Sequence, residues 1–186
     1  VNGLYATVLG TGGLIMIEAY KTISDQSMSL ILTGQQGDVM RESMQCAKTI
    51  AWNLLTTEQK MELRKEWSTD SWGIHIHCPE AATPKDGPSA GGAITLAIYS
   101  LLTSKSINNK IALTGEIDLN GSILKIGGLE HKIQGAIHAG VETVLYPVEN
   151  QYDVDLILKK YPDILDKISL KSIDSIHQIL DIALLK

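Results

Sequence analysis

One segment, residues 84–92, constrains this chain most, because it joins a tight turn to the start of a buried helix. Asp86 and Gly87 form a turn dipeptide. Pro88 suits the first position of a helix, where its missing N–H costs nothing. The apolar residues that follow recur at helical spacing: Ala90, Ala93, Ile94, Ala97, Ile98, Leu101 and Leu102. The pattern predicts a mostly buried helix that begins at this loop.

Ser89 falls in the first turn of that predicted helix. Unpaired backbone N–H groups and the positive end of the helix dipole surround such a position, which suits a bound anion or a nucleophilic hydroxyl. Gly91 and Gly92 would let another backbone or a ligand approach closely. The alternative is that the Ser89 hydroxyl only caps the helix. The local pattern leaves both interpretations open.

The composition is that of a globular domain and argues against two classes of partner. The chain has 186 residues, of which 44% are hydrophobic, and this length is enough for one domain with its own core. A net charge of -5 and scattered basic residues argue against nucleic acid as a partner. No apolar run reaches transmembrane length and no signal peptide opens the chain, so no membrane partner is expected.

Two further features bear on where the protein works. Cys46 and Cys78 form no CxxC pair, and two free thiols in a reducing compartment are the simpler interpretation. We therefore expect an intracellular, soluble protein of the cytoplasm or an organelle matrix. The chain starts at Val1 in a segment with a strand pattern, so we also expect a piece of a longer protein or a processed product.

Strand and helix patterns alternate along the chain, but two hairpins interrupt the alternation. The predicted strands cover residues 4–9, 14–20, 27–33, 73–78, 111–117, 122–126, 143–146 and 167–171. Besides the helix at Ser89, the predicted helices cover residues 39–55, 57–67, 128–139, 153–160 and 175–185, and Asp38 is predicted to cap the first of these. The fold class predicted is α/β (α+β), with mixed sheets, hairpins and packed helices rather than a doubly wound parallel sheet.

A serine nucleophile needs a base, and Lys132 has surroundings that suit one. Its neighbours three or four residues away on the predicted helix are small or apolar and include no acid: Gly128, Leu129, Gly135 and Ala136. Desolvation lowers the pKa of an ammonium group, and a neutral amine is what a general base requires. The alternative is that the Lys132 side chain extends to water across this surface.

Four other residues near the loop have chemistry to offer. His75 and His77 share one face of a predicted strand, but no third ligand has suitable spacing, so we predict no metal site. A supporting role beside the loop is the favoured interpretation for the histidines. Asp86 either orients a partner or closes the turn with its side chain. Thr114 either holds the lysine amine or is only a strand residue with good β propensity.

A set of ordered motifs resembles the Lon proteases over nearly the whole chain. Residues 84–91 look like the nucleophile signature of that family, and residues 33–43 resemble the segment that opens its long helix. Residues 75–77 and 113–117 also match. Residues 126–132 match a segment that ends in the family's catalytic lysine. Two departures are Glu130-His131, where many members have Lys-Glu, and Gly92, where a bulkier residue is common.

The resemblance implies a Ser-Lys dyad with Ser89 as the nucleophile and Lys132 as the base. By the same analogy Thr114 would position the lysine amine, and Asp86 and His77 would shape the site. The implied activity is that of a serine endopeptidase that hydrolyses unfolded or extended polypeptides. No metal or cofactor is expected in this domain.

The resemblance also carries expectations about organisation. Residues 1–186 would form a single Lon-type proteolytic domain, with the ATPase and the N-terminal substrate-binding modules absent from this chain. ATP and magnesium are implied only for that motor module. Because the family assembles as hexameric rings, a homo-oligomer is expected of the parent protein.

Two rival functions remain at this stage. One is a small-molecule kinase, in which the helix start at Ser89 would cradle phosphates. Against it, the chain leaves little room for a substrate domain and gives Lys132 no role. The other is a catalytically silent assembly domain of related fold, against which the intact Ser89 and Lys132 count.

Overall fold

A computed structural model describes residues 1–79 and 86–185 of the chain. The strands in these ranges are β1 (Asn2–Ala6), β2 (Gly12–Met16), β3 (Glu18–Ile23), β4 (Leu30–Thr33), β5 (Trp72–His77), β6 (Ile111–Leu113), β7 (Glu116–Ile117), β8 (Ile123–Leu124), β9 (Thr143–Pro147) and β10 (Ser169–Ile173). The helices are α1 (Asp38–Asn53), α2 (Thr57–Thr69), α3 (Gly91–Thr103), α4 (Leu129–His138), α5 (Gln151–Lys160) and α6 (Ile176–Ala183). The fold is α/β with mixed sheets, as the sequence predicted.

The larger sheet has the strand order β10-β9-β6-β1-β2. Its first four strands pair in parallel, and β2 closes the edge antiparallel to β1, with Leu4 opposite Leu14. This pairing confirms the first predicted hairpin. Helix α4 packs against both strands of the hairpin, so the helix that carries Lys132 lies on one edge of this sheet.

The predicted strand over residues 14–20 is wrong as a single element, because the chain changes sheets at Ile17. β2 ends at Met16 in the larger sheet, and β3 begins at Glu18 in a second sheet of order β3-β5-β4. Ile17 itself is buried, and its backbone N–H donates to the carbonyl of Val1. Alternating hydrophobicity continues through the switch, so the pattern indicates strand but not which partner each half pairs with.

The predicted strand over residues 111–117 is likewise divided, at Thr114 and Gly115. β6 ends at Leu113, and β7 begins at Glu116 to pair antiparallel with β8. Between them, the N–H of Gly115 donates to the carbonyl of Ser89 (2.8 Å), and the N–H of Gly92 donates to the carbonyl of Gly115 (3.1 Å). The N–H of Thr114 still donates to the carbonyl of Leu145 on β9 (3.1 Å), so the strand is interrupted at Gly115, whose backbone bonds to the Ser89 turn and to the start of α3.

Helix α3 is the centre of the core. Ten of its residues are buried, and it packs against α1 and α6. A second apolar cluster fills the space between the larger sheet and helices α4 and α5. The remaining predicted elements are present, with ends that differ by up to three residues. None of the helices in the described part of the chain is long and apolar enough to cross a membrane.

Candidate active site

Ser89 lies in a tight turn immediately before α3. Gly87 has a φ of 122°, a region that favours glycine, and residues Pro88–Ala90 then form one turn of 3-10 helix. We expected Ser89 in the first turn of the α-helix. It lies instead in the 3-10 turn that precedes the helix, since α3 begins at Gly91. Residues 84 and 85 of the signature lie outside the described part of the chain.

The backbone of this turn is fixed by the break between β6 and β7. The Ser89 carbonyl accepts two hydrogen bonds, one from the N–H of Gly115 (2.8 Å) and one from the hydroxyl of Thr114 (3.3 Å). Two donors on one carbonyl restrict the rotation of the peptide unit that follows Ser89. The turn is thus held from the side that faces Lys132.

Lys132 is buried in the first half of α4, with only 3% of its surface exposed. Its ammonium donates to the hydroxyl of Thr114 across 3.0 Å, and Thr114 is fully buried. Among the ion pairs of the described residues, none includes Lys132. The side chain therefore does not extend to water, and its charge has no carboxylate partner within that part of the chain.

Burial lowers the pKa of Lys132 from 10.5 to about 8. The cause is desolvation, since the ammonium loses water and gains no opposite charge. A pKa of about 8 leaves roughly one tenth of the amine neutral at pH 7, against less than a thousandth for a solvated lysine. Lys132 is therefore able to accept a proton under ordinary conditions.

The position of α4 is set by close packing against the first hairpin. A side chain on Gly12 would collide with the backbone of His131, and one on Gly135 would collide with the backbone of Gly12 and Gly13. The absence of side chains at these points lets the helix sit directly on the strands. This contact fixes the distance between α4 and the hairpin, and with it the position of Lys132.

Thr114 is the residue that joins the two halves of the site. Its hydroxyl accepts from Lys132 and donates to the Ser89 carbonyl. Within the described residues no hydrogen bond joins the Ser89 hydroxyl to the Lys132 amine directly. Catalytic hydrogen bonds are often long or unformed until a substrate is bound, so this geometry is compatible with proton transfer between the two residues.

The Asp86 side chain bonds within its own turn, in line with one of the two predicted alternatives, and it also caps a helix, which the sequence did not predict. Its Oδ1 accepts from the N–H of Met40 at 2.9 Å, in the first turn of α1, and from the N–H of Gly87 at 2.9 Å. The prediction that Asp38 caps α1 is wrong: the N-cap is Gly37, which makes no side-chain cap, and Asp86 supplies the acceptor from a distant loop. Asp86 thereby ties the Ser89 turn to the start of α1.

His75 and His77 lie side by side on β5 and bond to the same threonine. Nε2 of His75 and Nδ1 of His77 lie 2.8 Å and 2.7 Å from the hydroxyl of Thr33 on β4. Neither histidine is among the described residues that line the groove at Ser89. The structure brings together Ser89, Lys132, Thr114 and Asp86. Among the described residues, no hydrogen bond joins His77 to any of these four, so the supporting role predicted for it stays a prediction.

A groove of about 470 Å³ contains both Ser89 and Lys132. Its walls are the end of β1 with the residues after it, the turn around Ser89, and the loop of residues 125–128, with Glu116 also facing it. A larger cavity of about 660 Å³, between β3 and the end of α3, contains neither residue. Ser89 and Lys132 therefore share one cavity, and the larger cavity belongs to another part of the surface.

Sequence reasoning missed the residues that hold the 125–128 loop. Asn150 is fully buried and hydrogen-bonds the backbone of Ile126 through both ends of its amide. Glu149 accepts from the N–H of Lys125. These contacts join positions 24 residues apart, and the only local signal was a pair of polar residues shortly after a strand that ends at Pro147.

Known proteins resemble the chain along its full length. Residues 1–186 match the family model of the Lon protease (S16) C-terminal proteolytic domain. The chain is 41% identical to a Lon protease homolog of Acanthamoeba polyphaga mimivirus, with 97% of this chain and 18% of that protein aligned. It is 39% identical to the Lon protease of Buchnera aphidicola subsp. Acyrthosiphon pisum (100% and 23%) and 39% identical to that of Campylobacter jejuni (99% and 23%). The chain spans about a fifth of the length of these curated relatives.

Proposed function

The chain belongs to the family of Lon protease (S16) C-terminal proteolytic domains, and from that premise we propose that it is a serine endopeptidase with a Ser-Lys dyad. Ser89 is the nucleophile and Lys132 is the general base. Thr114 positions the lysine amine. The family membership disfavours the kinase alternative, because it accounts for Lys132 and for the Ser89 turn together.

One observation carries the proposal: a buried lysine without a carboxylate partner among the described residues shares a groove with a serine at the start of a helix. A lysine in this setting is costly to bury as an ammonium. The pKa of about 8 that results is close to the value that best suits a base near neutral pH. Structural lysines usually keep their ammonium in water, so the arrangement favours a chemical role.

The reaction would proceed through an acyl-enzyme. The neutral amine of Lys132 takes the hydroxyl proton of Ser89 as Oγ bonds to the carbonyl carbon of the scissile peptide. The resulting ammonium gives that proton to the departing amine as the C–N bond breaks. In the second half, Lys132 takes a proton from water, the hydroxide attacks the ester, and the proton returns to Ser89 Oγ.

The oxyanion formed in each half needs hydrogen-bond donors. The first two N–H groups of α3 are already used, since Gly91 donates to the Pro88 carbonyl and Gly92 to the Gly115 carbonyl. The proposed donors are therefore the backbone N–H groups of the turn before α3, near the end of the helix where the dipole favours negative charge. The two hydrogen bonds to the Ser89 carbonyl keep this turn in place. In this proposal the groove supplies a base and an anion-stabilising region, and the chemistry needs no metal or other cofactor in this domain.

The proposed substrate is an unfolded or extended polypeptide. The end of β1 forms one wall of the groove. β1 is an inner strand, but it pairs with β6 only at Asn2 and Gly3, so a strand-like substrate would align beside the rest of β1 on that side. The resemblance further implies that the domain works within a longer protein that assembles as a hexameric ring and carries an ATP-dependent module. Localisation inside the cell is part of the same proposal.

The direct test compares the wild type with Ser89→Ala on an unfolded protein. The wild type should degrade it without ATP, and Ser89→Ala should leave it intact. A peptide boronate should inhibit and bind at Ser89, whereas alkylation of Cys46 and Cys78 should leave most of the activity. Cleavage that survives Ser89→Ala and stops on alkylation would contradict the proposal.

A further inference from the structure

Asn150 is a fully buried polar residue that lies outside the groove and takes no part in the proposed chemistry. Its Oδ1 accepts from the N–H of Ile126 (3.0 Å), and its Nδ2 donates to the carbonyl of Ile126 (2.8 Å) and to Asp153 Oδ2 (2.6 Å). The three partners fix the orientation of the amide, because a flipped group would place its NH2 against the Ile126 N–H. The Asn150 amide therefore makes the pair of hydrogen bonds to the Ile126 backbone that a neighbouring strand would otherwise make.

Glu149, next to Asn150, makes a parallel contact. Its Oε2 accepts from the N–H of Lys125 across 2.8 Å. The two residues lie in the 3-10 turn Val148–Asn150, directly after β9, so they project from a well-buried strand of the larger sheet. Asp153, at the start of α5, adds an ion pair to the Lys125 ammonium at 3.8 Å.

These contacts hold residues 125–128, a loop that has no neighbouring strand to bond with in the described part of the chain. β8 ends at Leu124, and the next residues bond to side chains in place of a strand. Residues 125–128 line the same groove as the Ser89 turn, and two of them are exposed glycines. Glycines give a backbone more freedom than other residues, so without a fixed anchor this wall would have many conformations.

The same loop leads directly into the helix that carries the base. Gly128 is the N-cap of α4, and its carbonyl accepts from the N–H of Lys132 at 3.1 Å. A displacement of residues 125–128 would therefore move the groove wall and the entry of α4 together. The contacts made by Glu149 and Asn150 restrain both at once.

We propose that Glu149 and Asn150 are positioning residues that hold the loop of residues 125–128 as a fixed wall for an extended peptide. This inference rests on the proposed protease function. A loop that is already ordered loses little conformational entropy when a peptide binds beside it, so the peptide binds more tightly. We call Glu149 and Asn150 the clamp. Loss of a clamp residue should raise KM, because peptide binding becomes weaker. It should change kcat only if α4, and Lys132 with it, also moves.

The test uses Glu149, because it is exposed and its substitution should leave the fold intact. Glu149→Ala removes the acceptor for Lys125, whereas Glu149→Gln keeps an oxygen in place. Glu149→Ala should raise KM for a fluorogenic peptide about fivefold, the factor that matches one net hydrogen bond, with kcat little changed. Glu149→Gln should restore KM to near the wild-type value, and Glu142→Ala, an exposed carboxylate paired with Lys110, is the control.

Asn150 variants extend the test to the buried contact. Asn150→Ala and Asn150→Asp should both raise KM more than Glu149→Ala, since the aspartate repels the Ile126 carbonyl and Asp153. Amide hydrogen exchange at Lys125 and Ile126 should accelerate in all three variants, an outcome that does not depend on activity.

Three outcomes are distinguishable. A wild type without Ser89-dependent hydrolysis contradicts the proposed function itself. Active and folded variants of Glu149 and Asn150 with wild-type KM and wild-type exchange overturn the positioning role alone. A raised KM in Glu149→Ala that Glu149→Gln restores supports the role, because a loss of general stability would move neither value in this way.

Discussion

Two sets of titratable groups were candidates for roles at the Ser89 site: Lys132, and the pair His75 and His77. They differ in burial, in hydrogen-bond partner and in access to the groove. Lys132 is 3% exposed, bonds to Thr114 and faces the same groove as Ser89. The two histidines lie half-buried on β5 and share the hydroxyl of Thr33, outside the described lining of the groove.

The difference indicates that residue type alone does not decide which group is the better candidate for a base. A histidine has an ordinary pKa close to neutral pH and is the more usual base. Here the lysine has the favourable position, and its pKa is lowered by removal of water alone. What makes a group reactive is its burial, the absence of an opposite charge and its access to the groove.

The largest expected effect comes from replacing Lys132, the proposed base. Lys132→Arg keeps the charge but supplies no neutral base, because guanidinium stays protonated. Lys132→Met keeps the approximate length and removes the base. Both should lower kcat/KM for a peptide at pH 8 by about a thousandfold, within the range of general base catalysis, while thermal melts show a folded protein.

His77→Gln is the matched change in the other region. It should lower kcat/KM by less than about fivefold, because it disturbs one hydrogen bond to Thr33. The comparison breaks if Lys132→Arg retains near-normal turnover or if His77→Gln loses as much activity as Lys132→Met. A Ser-His pair would then be the better account.

A smaller effect is expected from Thr114→Val, which keeps the buried volume and removes the hydroxyl. The Lys132 ammonium loses its acceptor, so its charged form is less stable and the apparent pKa of kcat/KM should fall further below 8. The orientation of the amine is also lost, and we expect about a tenfold lower kcat at the pH optimum, as for one charge-assisted hydrogen bond.

Thr103→Val is the control for that change. Thr103 makes an ordinary helix bond to the carbonyl of Tyr99 at the far end of α3. It should leave the pH profile of kcat/KM unchanged. An equal shift in both valine variants, or a profile that Thr114→Val does not move, would remove Thr114 from the site.

The smallest expected effect is on stability and comes from replacing Asp86, which we propose supports the groove without taking part in the reaction. Asp86 lines the groove but uses its carboxylate to cap α1 at Met40. In urea denaturation at pH 7, Asp86→Ala should lower the free energy of unfolding by about 1 kcal/mol, as for a lost N-cap. Asp38→Ala, at the position the sequence favoured for the cap, should change it by only about 0.3 kcal/mol through the helix dipole. Equal losses would contradict the capping assignment.

Most of the helices and strands could be predicted because each has a local pattern. Helix α3 follows from its continuous apolar spacing, and the burial of Lys132 follows from small neighbours on its helix face. The switch at Ile17 and the break at Thr114 could not be predicted, since both depend on which distant backbone offers a partner. Local alternation is the same in either case.

The site shows the same division between local and tertiary signals. Ser89 and Lys132 were identified from their turn, their helix face and the family resemblance. The cap from Asp86 to Met40 and the contacts of Asn150 with Ile126 join residues 46 and 24 positions apart. A capping or clamping side chain can come from anywhere in the chain, so sequence spacing carries no signal for it.

The measurement that tests the central claim most directly is the titration of Lys132 in the wild-type protein. With ¹³C-labelled lysine, the Cε signal of Lys132 is assigned as the one missing from Lys132→Arg and is followed from pH 6 to 12. The structure predicts a midpoint of about 8 for this signal, well below the 10.5 of an unperturbed lysine, and the pH dependence of kcat/KM should rise through the same midpoint. A Lys132 signal that titrates at 10 or above would contradict the account, because the amine would then be charged at every pH where the fold is expected to work.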